Sequence, residues 1–289
     1  MKVGSGDVAR NTPAANSRAS TSTAASSPRS RLLAKANDLS GTTTARDDTW
    51  SSYEGGYDDC VPDLDLLRFE RPLIERGDVV VGIDEVGRGA LAGPLMVGAV
   101  VLARIGDLPE GLADSKVLTP KKRSALAPRI YAWADDVAIG EVSSAEIDEW
   151  GLRLALAVAT ERALDGLQIL PTLALIDGSL NLLQPPQALS LTAPVPPARW
   201  SQLPVITVVK GDALCASIAG ASIVAKVERD RRMVELDPLA PQYGWRANKG
   251  YGAPDHLRAL AIHGASDWHR RSWSLPARLE SNPHPPTAT

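Results

Sequence analysis

Val79 to Val101 reads VVVGIDEVGRGALAGPLMVGAVV. A valine-rich run enters two adjacent carboxylates, Asp84 and Glu85, passes the glycine-flanked Gly87-Arg88-Gly89, and becomes a second apolar run. Asp78–Asp84 is expected as a buried strand and Leu95–Ala103 as a second, with the short link making a hairpin. A strand inside a core that ends on paired acids needs something to neutralise them, because a buried unpaired charge is costly. Adjacent strand residues point to opposite faces, so both acids can meet one site only if the strand ends or kinks at Glu85. The following glycines allow that, and a break there is expected.

Outward from this hairpin the chain alternates helix and strand. Ser115–Trp133 is expected as a helix whose basic face carries Lys116, Lys121, Lys122 and Arg123; a merely solvated face would read the same way. Val137–Val142 is a third strand. Ser143 and Glu146 stand at capping-box spacing and open a helix to about Leu167. Leu173–Asp177 and Val205–Val209 are further strands, separated by a proline-rich surface loop over Asn181–Pro204. A helix of small residues runs from about Ala213 to Leu236, with Leu214, Ile218, Ala221 and Ala225 inward. Short helix and loop fill Pro241–Trp273. The pattern is α/β: a mixed central sheet of about five strands flanked by helices, with a small helical C-terminal extension. The expected division is a disordered tail over 1–60, a main domain over 64–236, its C-terminal extension over 237–280, and a frayed, disordered end over 281–289.

Composition narrows the classes. A chain of 289 residues can bury roughly 70–75% of its unfolded surface and needs no staples. Its formal charge of −3 exerts no global pull on a polyanion, so such a ligand must be met by local basic groups or a metal. Two cysteines, Cys60 and Cys215, form neither a disulfide framework nor a metal knuckle, and a reduced compartment is expected. The apolar run Leu95–Ala103 falls far short of the ~20 residues that span a bilayer, so a soluble protein without membrane contact is expected. Residues 1–60 have a disordered composition. Val8–Asn37 is free of acids but carries arginines, which resembles a transit peptide; a biased bacterial tail and a cytoplasmic location are the favoured reading.

Three apolar strands end on an acid close to glycine: Asp84-Glu85, Asp177 in LALIDG, and Asp212 in ITVVKGD. Singly, Asp177 reads as a turn residue and Asp212 as a helix cap. Together they change meaning, because neighbouring strand ends in a layered α/β domain meet at one crevice. Four carboxylates there repel one another unless a divalent cation sits among them, and oxygen ligands suit Mg2+ or Mn2+. Two such ions about 3.5–4 Å apart can clamp a phosphodiester, activate water and stabilise the leaving oxygen.

VGIDEVGRGALAGP, LADSK, LIDG, KGD with SIAGASIVAKVERDRRM, PQYGWRANKGY and HRRSW resemble ribonuclease HII, in that family's order over Val79–Trp273. Gly220, Trp273 and Ala90 are small departures. The resemblance implies an RNase H-like fold. It implies cleavage of the RNA strand of RNA–DNA hybrids and nicking of duplex DNA 5′ of a lone ribonucleotide, leaving 3′-hydroxyl and 5′-phosphate ends. It makes Asp84, Glu85, Asp177 and Asp212 the metal-binding catalytic acids. It also makes Gly87-Arg88-Gly89 the turn that senses the ribose 2′-hydroxyl, and Tyr251 the residue that stacks on the adjoining sugar. Lys116 is a candidate phosphate contact, with Lys210, Lys226, Arg229, Arg231, Arg232, Arg270 and Arg271 behind it. A monomer is expected, and whether the N-terminal tail takes a replication or repair partner is open.

Three other readings compete. A type 3 ribonuclease H prefers longer hybrids, but usually has a different turn and an N-terminal platform. A non-catalytic hybrid-binding module gains nothing from four acids facing phosphates. A metal-independent ribonuclease would use paired histidines, and His256, His263 and His269 are given no catalytic role by their sequence setting.

Overall fold

The computed structural model describes residues 65–113, 117–184 and 198–277. The expectations for the 1–60 and 281–289 tails, for Lys116 and for most of the proline-rich loop lie outside them.

Five strands form one mixed sheet in the order β3-β2-β1-β4-β5. β1 (Val80–Val86) and β2 (Leu95–Leu102) make the expected antiparallel hairpin, and β3 (Asp136–Val142) pairs antiparallel with β2. β4 (Leu173–Asp177) and β5 (Val205–Val208) add in parallel on the other side of β1. β1 and β2 are apolar along both faces because both are covered by helices. Val81 and Ile83 pack on one face and Val80 on the other. Each such fully buried side chain contributes about 1.5–3 kcal/mol of transfer free energy.

The helices divide by face. α1 (Glu70–Glu75) and α2 (Pro120–Trp133) flank α5 (Ala216–Leu236). α3 (Ser144–Trp150) and α4 (Leu152–Asp165) cover the opposite face. α2 begins at Pro120 rather than near Ser115, because the Thr119 hydroxyl caps it by accepting from the Lys122 amide at 3.3 Å. The Ser143–Glu146 capping box is present with both of its bonds. The single helix expected behind it is two, because Gly151, at φ +76°, breaks the run between α3 and α4.

α5 lies almost on the sheet backbone. A Cβ on Gly82 would sit 2.3 Å from the Ser217 carbonyl carbon, and one on Gly98 would sit 2.3 Å from the Ala221 oxygen. Only glycine in the strands, facing small residues in the helix, permits this approach. The consequence is functional: it sets Ser222 and Lys226 of α5 beside the ends of β1 and β4.

After α5 the chain forms α6 (Trp245–Asn248) and α7 (Pro254–His263). They enclose a core of Tyr243, Trp245 and Leu260 with Ala92 and Met233. Ala92 bridges to His269, and the Leu91 amide donates to the Gly250 carbonyl at 2.8 Å. The C-terminal segment is therefore stitched to the loop that follows Gly89.

Candidate active site

Ile83 and Ile176 form the last parallel pair between β1 and β4, so Asp84 and Asp177 leave adjacent strands at one level. Both belong to the face covered by α5, the face of Val80, Leu173 and Leu175. Asp212 arrives from β5 through Lys210, held in the left-handed region at φ 58°, and the turn Gly211–Ala213. It does not cap α5, whose N-cap position is Cys215. One oxygen from each of Asp84, Asp177 and Asp212 lies within 4.8 Å of the others.

Asp84 and Asp212 are buried, at 6% and 2% exposure. Burial pushes the Asp84 carboxyl up to about 7, Asp177, Glu85 and Asp212 push the same way, and a hydrogen bond from Ser222 opposes them. Three carboxylates pooled in a dry corner are hard oxygen donors with mutual repulsion to relieve. That donor set fits a divalent cation.

Glu85 departs from expectation. β1 does not break there: it pairs with β2 through Glu85↔Val97 and Val86↔Met96. Strand alternation thus puts Glu85 on the opposite face from Asp84, where its Oε1 lies 3.4 Å from Arg88 Nη1. Glu85 still lines the cleft, but at its rim and outside the three-acid cluster.

The cleft holds about 290 Å3 and is lined by Asp84, Glu85, the Gly87–Gly89 turn, Asp177, Lys226 and Tyr251, with Arg123 and Ser222. The turn's two glycines do different jobs. Gly87, at φ +85°, has no room for a side chain, since a Cβ would sit 2.1 Å from Arg229 Nε. Gly89 faces open space, which leaves its backbone accessible to a ligand. Tyr251 has cations near its ring, with Arg229 Cζ 5.0 Å and Lys226 Nζ 5.8 Å from the centroid. Lys226 also pairs with Asp230.

Several basic residues are not where surface charges were expected. Arg229 and Arg270 are fully buried and serve the loop rather than a phosphate. Arg229 donates to the carbonyls of Pro94 at 2.8 Å, Lys249 at 3.0 Å and Ala92 at 3.2 Å. Arg270 donates to those of Arg88 at 2.9 Å and Gly93 at 3.2 Å. Two buried guanidinium groups thus hold the Gly87–Gly89 turn and the loop after it from beneath. Arg231 pairs with Glu228 and Glu235, Arg232 with Glu141, and Arg271 with Asp267. Lys210 is exposed beside the cluster-bearing turn. Arg123, expected on a basic outer face, turns inward, donates to the Leu118 carbonyl at 2.6 Å and reaches the cleft. Ser222 and Arg123 were missed as site residues; the i, i+4 spacing from Ser222 to Lys226 on one helix face was the available signal.

His256 and His269 do pair, 3.0 Å apart at Nε2, but both are buried and present no nitrogen to a phosphodiester. Among the described residues this pair therefore offers a histidine-based ribonuclease no exposed imidazole at the cleft.

An open mixed sheet with a small-residue helix across one face and carboxylates pooled at its parallel strand ends is an RNase H-like arrangement. Comparison with known proteins agrees. The profile of the family described as Ribonuclease HII matches residues 81–275. Ribonuclease HII of Geobacillus thermodenitrificans is 44% identical over 211 residues, covering 73% of this chain and 74% of its own length. That of Cereibacter sphaeroides strain KD131 is 48% identical over 201 residues, covering 70% and 86%. Among solved structures, ribonuclease H2 from Pyrococcus horikoshii OT3 superposes with a TM-score of 0.51 at 29% identity, over 68% of this chain and 94% of that one. The RNase HII in a PCNA complex from Archaeoglobus fulgidus gives 0.53 at 26%, over 70% and 98%. The chain belongs to the ribonuclease HII family, and is a hydrolase of the ribonuclease H type. Among the described residues no helix is long and apolar enough to cross a membrane.

Proposed function

We propose that this protein is a metal-dependent endoribonuclease that cleaves the RNA strand of RNA–DNA hybrids and nicks duplex DNA 5′ of single embedded ribonucleotides, leaving 3′-hydroxyl and 5′-phosphate ends. The observation that carries this is the shared cleft: a three-acid cluster, a glycine turn with open backbone and an aromatic ring lie side by side. Asp84, Asp177 and Asp212 would hold Mg2+ or Mn2+, with Glu85 at the rim as the further acid of the site. Divalent ions bound there would supply Lewis-acid charge for the attacking water and the departing 3′ oxygen.

The chain's own groups do the selecting. The Gly89 backbone lies open, so a ribose 2′-hydroxyl can approach it, and that hydroxyl is what separates RNA from DNA. Arg88 and Lys226 meet the flanking phosphates, which fixes register without reading bases. Tyr251 stacks on the next sugar, and an oxygen there would crowd the ring. The segment 237–280 acts as the substrate-binding extension of a catalytic domain over 64–236. Duplex DNA carrying ribonucleotides is the substrate, which fits a cytoplasmic enzyme working beside the chromosome.

A labelled duplex with one ribonucleotide, incubated with Mg2+, Mn2+ or chelator in parallel, tests this. A single nick 5′ of the ribonucleotide with either metal, and none with chelator, is the expected result. Cleavage that persists in chelator, or that is confined to long hybrids, overturns it.

A further inference from the structure

His256 and His269 join α7 to the segment that runs under the sensing turn, and their bonding leaves one arrangement of protons. The Trp245 indole can only donate, and it points at His256 Nε2 from 3.2 Å. His256 Nε2 must therefore accept, its proton sits on Nδ1, and Nδ1 donates to the Tyr251 carbonyl at 2.8 Å. The Ser266 amide likewise can only donate, and it lies 3.0 Å from His269 Nδ1. His269 then carries its proton on Nε2 and gives it to His256 Nε2 at 3.0 Å. Every donor finds an acceptor, and the chain of bonds ends on the backbone of Tyr251.

That backbone needs an external hold. Lys249 and Gly250, immediately before Tyr251, both lie in the left-handed region, at φ 53° and 79°. A non-glycine residue there is strained and persists only when its surroundings over-determine it. On one side Gly250 is held by the amides of Leu91 and Ala92, which belong to the loop after the sensing turn. Arg229 holds the Lys249 carbonyl, and Asn248 Oδ1 accepts from the Gly250 amide. The Tyr251 carbonyl accepts from the Ala253 amide and, at 2.8 Å, from the histidine pair, its side-chain hold.

We propose that His256 and His269, acting as a neutral hydrogen-bonded pair, are positioning residues that set Tyr251 against the acid-lined cleft. This rests on the reading of Tyr251 as the residue that stacks on substrate. A proton added to His256 would point Nε2–H at two donors, whereas one added to His269 Nδ1 would displace the Ser266 amide bond and could turn only to the Ser266 hydroxyl, at 2.8 Å. The surroundings disfavour either charge. Tyr243 packs edge-on to His269 at 4.6 Å with its hydroxyl spent on the Gly264 carbonyl, and Arg271 bears on His269 as a like charge. Arg270 faces away to the loop carbonyls, and His263 meets only the Tyr243 ring, at 6.4 Å. Burial pushes His269 down to about 4, with His256 and Arg271 acting the same way and the Ser266 backbone opposing them. Burial also pushes His256 down, against its bond to the Tyr251 carbonyl. Both rings are therefore neutral at neutral pH, and the geometry holds the pair closed.

Two measurements test the assignment. In 15N-labelled wild-type protein, long-range 1H–15N correlations of the histidine rings, followed from pH 8 to pH 5, are expected to show two rings that remain neutral. One should be protonated at Nδ1 and the other at Nε2. Two rings of the same tautomer, or a pair that titrates near 6.5, overturns the proposal without reference to activity. In nicking assays on a duplex with one ribonucleotide, His256→Ala is expected to raise KM about tenfold with kcat within about threefold. His256→Asn keeps a donor in reach of the Tyr251 carbonyl and is expected to recover most of that loss. Adding His256→Ala to Tyr251→Ala should cost nothing further. A folded His256→Ala protein with unchanged KM, or an Asn variant as impaired as Ala, overturns the positioning role. If the function itself is misread, wild-type protein nicks no ribonucleotide substrate while the ring spectra still report the pair.

Discussion

The Oδ1 of Asp177 accepts a hydrogen bond from the Gly211 amide at 2.6 Å. This bond ties the end of β4 to the turn after β5, and so fixes how far Asp212 stands from Asp177. The Asp-Gly turn that Asp177 resembles in sequence is real, since Gly178 has φ +84°. The acid is therefore turn residue, anchor and cluster member at once. Within the cluster Asp84 meets it across the parallel strands.

Asp84→Asn should abolish nicking of a duplex with one ribonucleotide while leaving duplex binding within about threefold, because the carboxylate is needed only for the chemical step. The same change should stabilise the metal-free protein. Asp84 is buried among like charges, and an amide of the same shape removes their repulsion. A gain of about 1 kcal/mol corresponds to a rise of about 2–4 °C in the thermal midpoint. Normal turnover by this variant would sink the assignment of Asp84.

The two glycines of the sensing turn should separate in a stability and activity comparison. Gly87→Ala places a Cβ 2.1 Å from Arg229 Nε at φ +85°, so it should lower the midpoint and cleavage together. Gly89→Ala meets nothing within 4 Å in the free protein. It should leave the midpoint unchanged and raise KM for ribonucleotide substrates by tenfold or more, about 1.4 kcal/mol. Equal destabilisation of both variants would show that Gly89 serves the fold and not the ligand.

Strand ends were legible in the residues because an apolar run terminated by acid and glycine has few uses, and β4 falls where that grammar puts it. The break expected at Glu85 does not occur for a local reason: the glycines after it permit one, but the ladder to β2 continues through Val86↔Met96, so alternation prevails. The division at Gly151 was hidden because apolar periodicity continues across it. Arg229 and Arg270 were illegible for a deeper reason. A buried arginine held by backbone carbonyls leaves no sequence partner to find, whereas one paired with an acid often does. The same holds for the proton order in the His256–His269 pair, which depends on Trp245 and on the Ser266 amide.

Metal binding should be visible as stability before any cleavage is measured. At about a hundredfold excess over Kd a ligand of the folded state stabilises it by about 2.7 kcal/mol. Mg2+ or Mn2+ should raise the wild-type midpoint, chelator should reverse the rise, and Asp177→Asn should not respond. An equal shift in that variant would place the ion elsewhere.

Glu70 offers a test of the fold remote from the cleft. It is fully buried in α1, its Oε1 accepts from the Ser217 amide at 2.9 Å and hydroxyl at 2.7 Å, and its Oε2 has no partner. Burial pushes its carboxyl up to about 7, against the hydrogen bonds from Ser217. A raised carboxyl is stabilising in its protonated form, so its contribution is complete below the unfolded value of 4.5 and is lost as pH rises through about 7. His269, pushed down, acts in the opposite sense, its contribution being lost as pH falls from 6.5 toward about 4. Between pH 7 and pH 8 the histidine is already neutral. Asp84 and Glu161 are also pushed up to about 7 and act in the same sense as Glu70, so the share that belongs to Glu70 is the part of the loss that its substitution removes. Glu70→Gln keeps the acceptor for Ser217 but cannot ionise. Urea unfolding should show wild-type stability falling from pH 6.5 to pH 8, within a full difference of about 3 kcal/mol from the acid limit. The decline should be smaller in the Gln variant, which keeps only the contributions of Asp84 and Glu161. A parallel decline in both proteins would mean that Glu70 is not the group responsible.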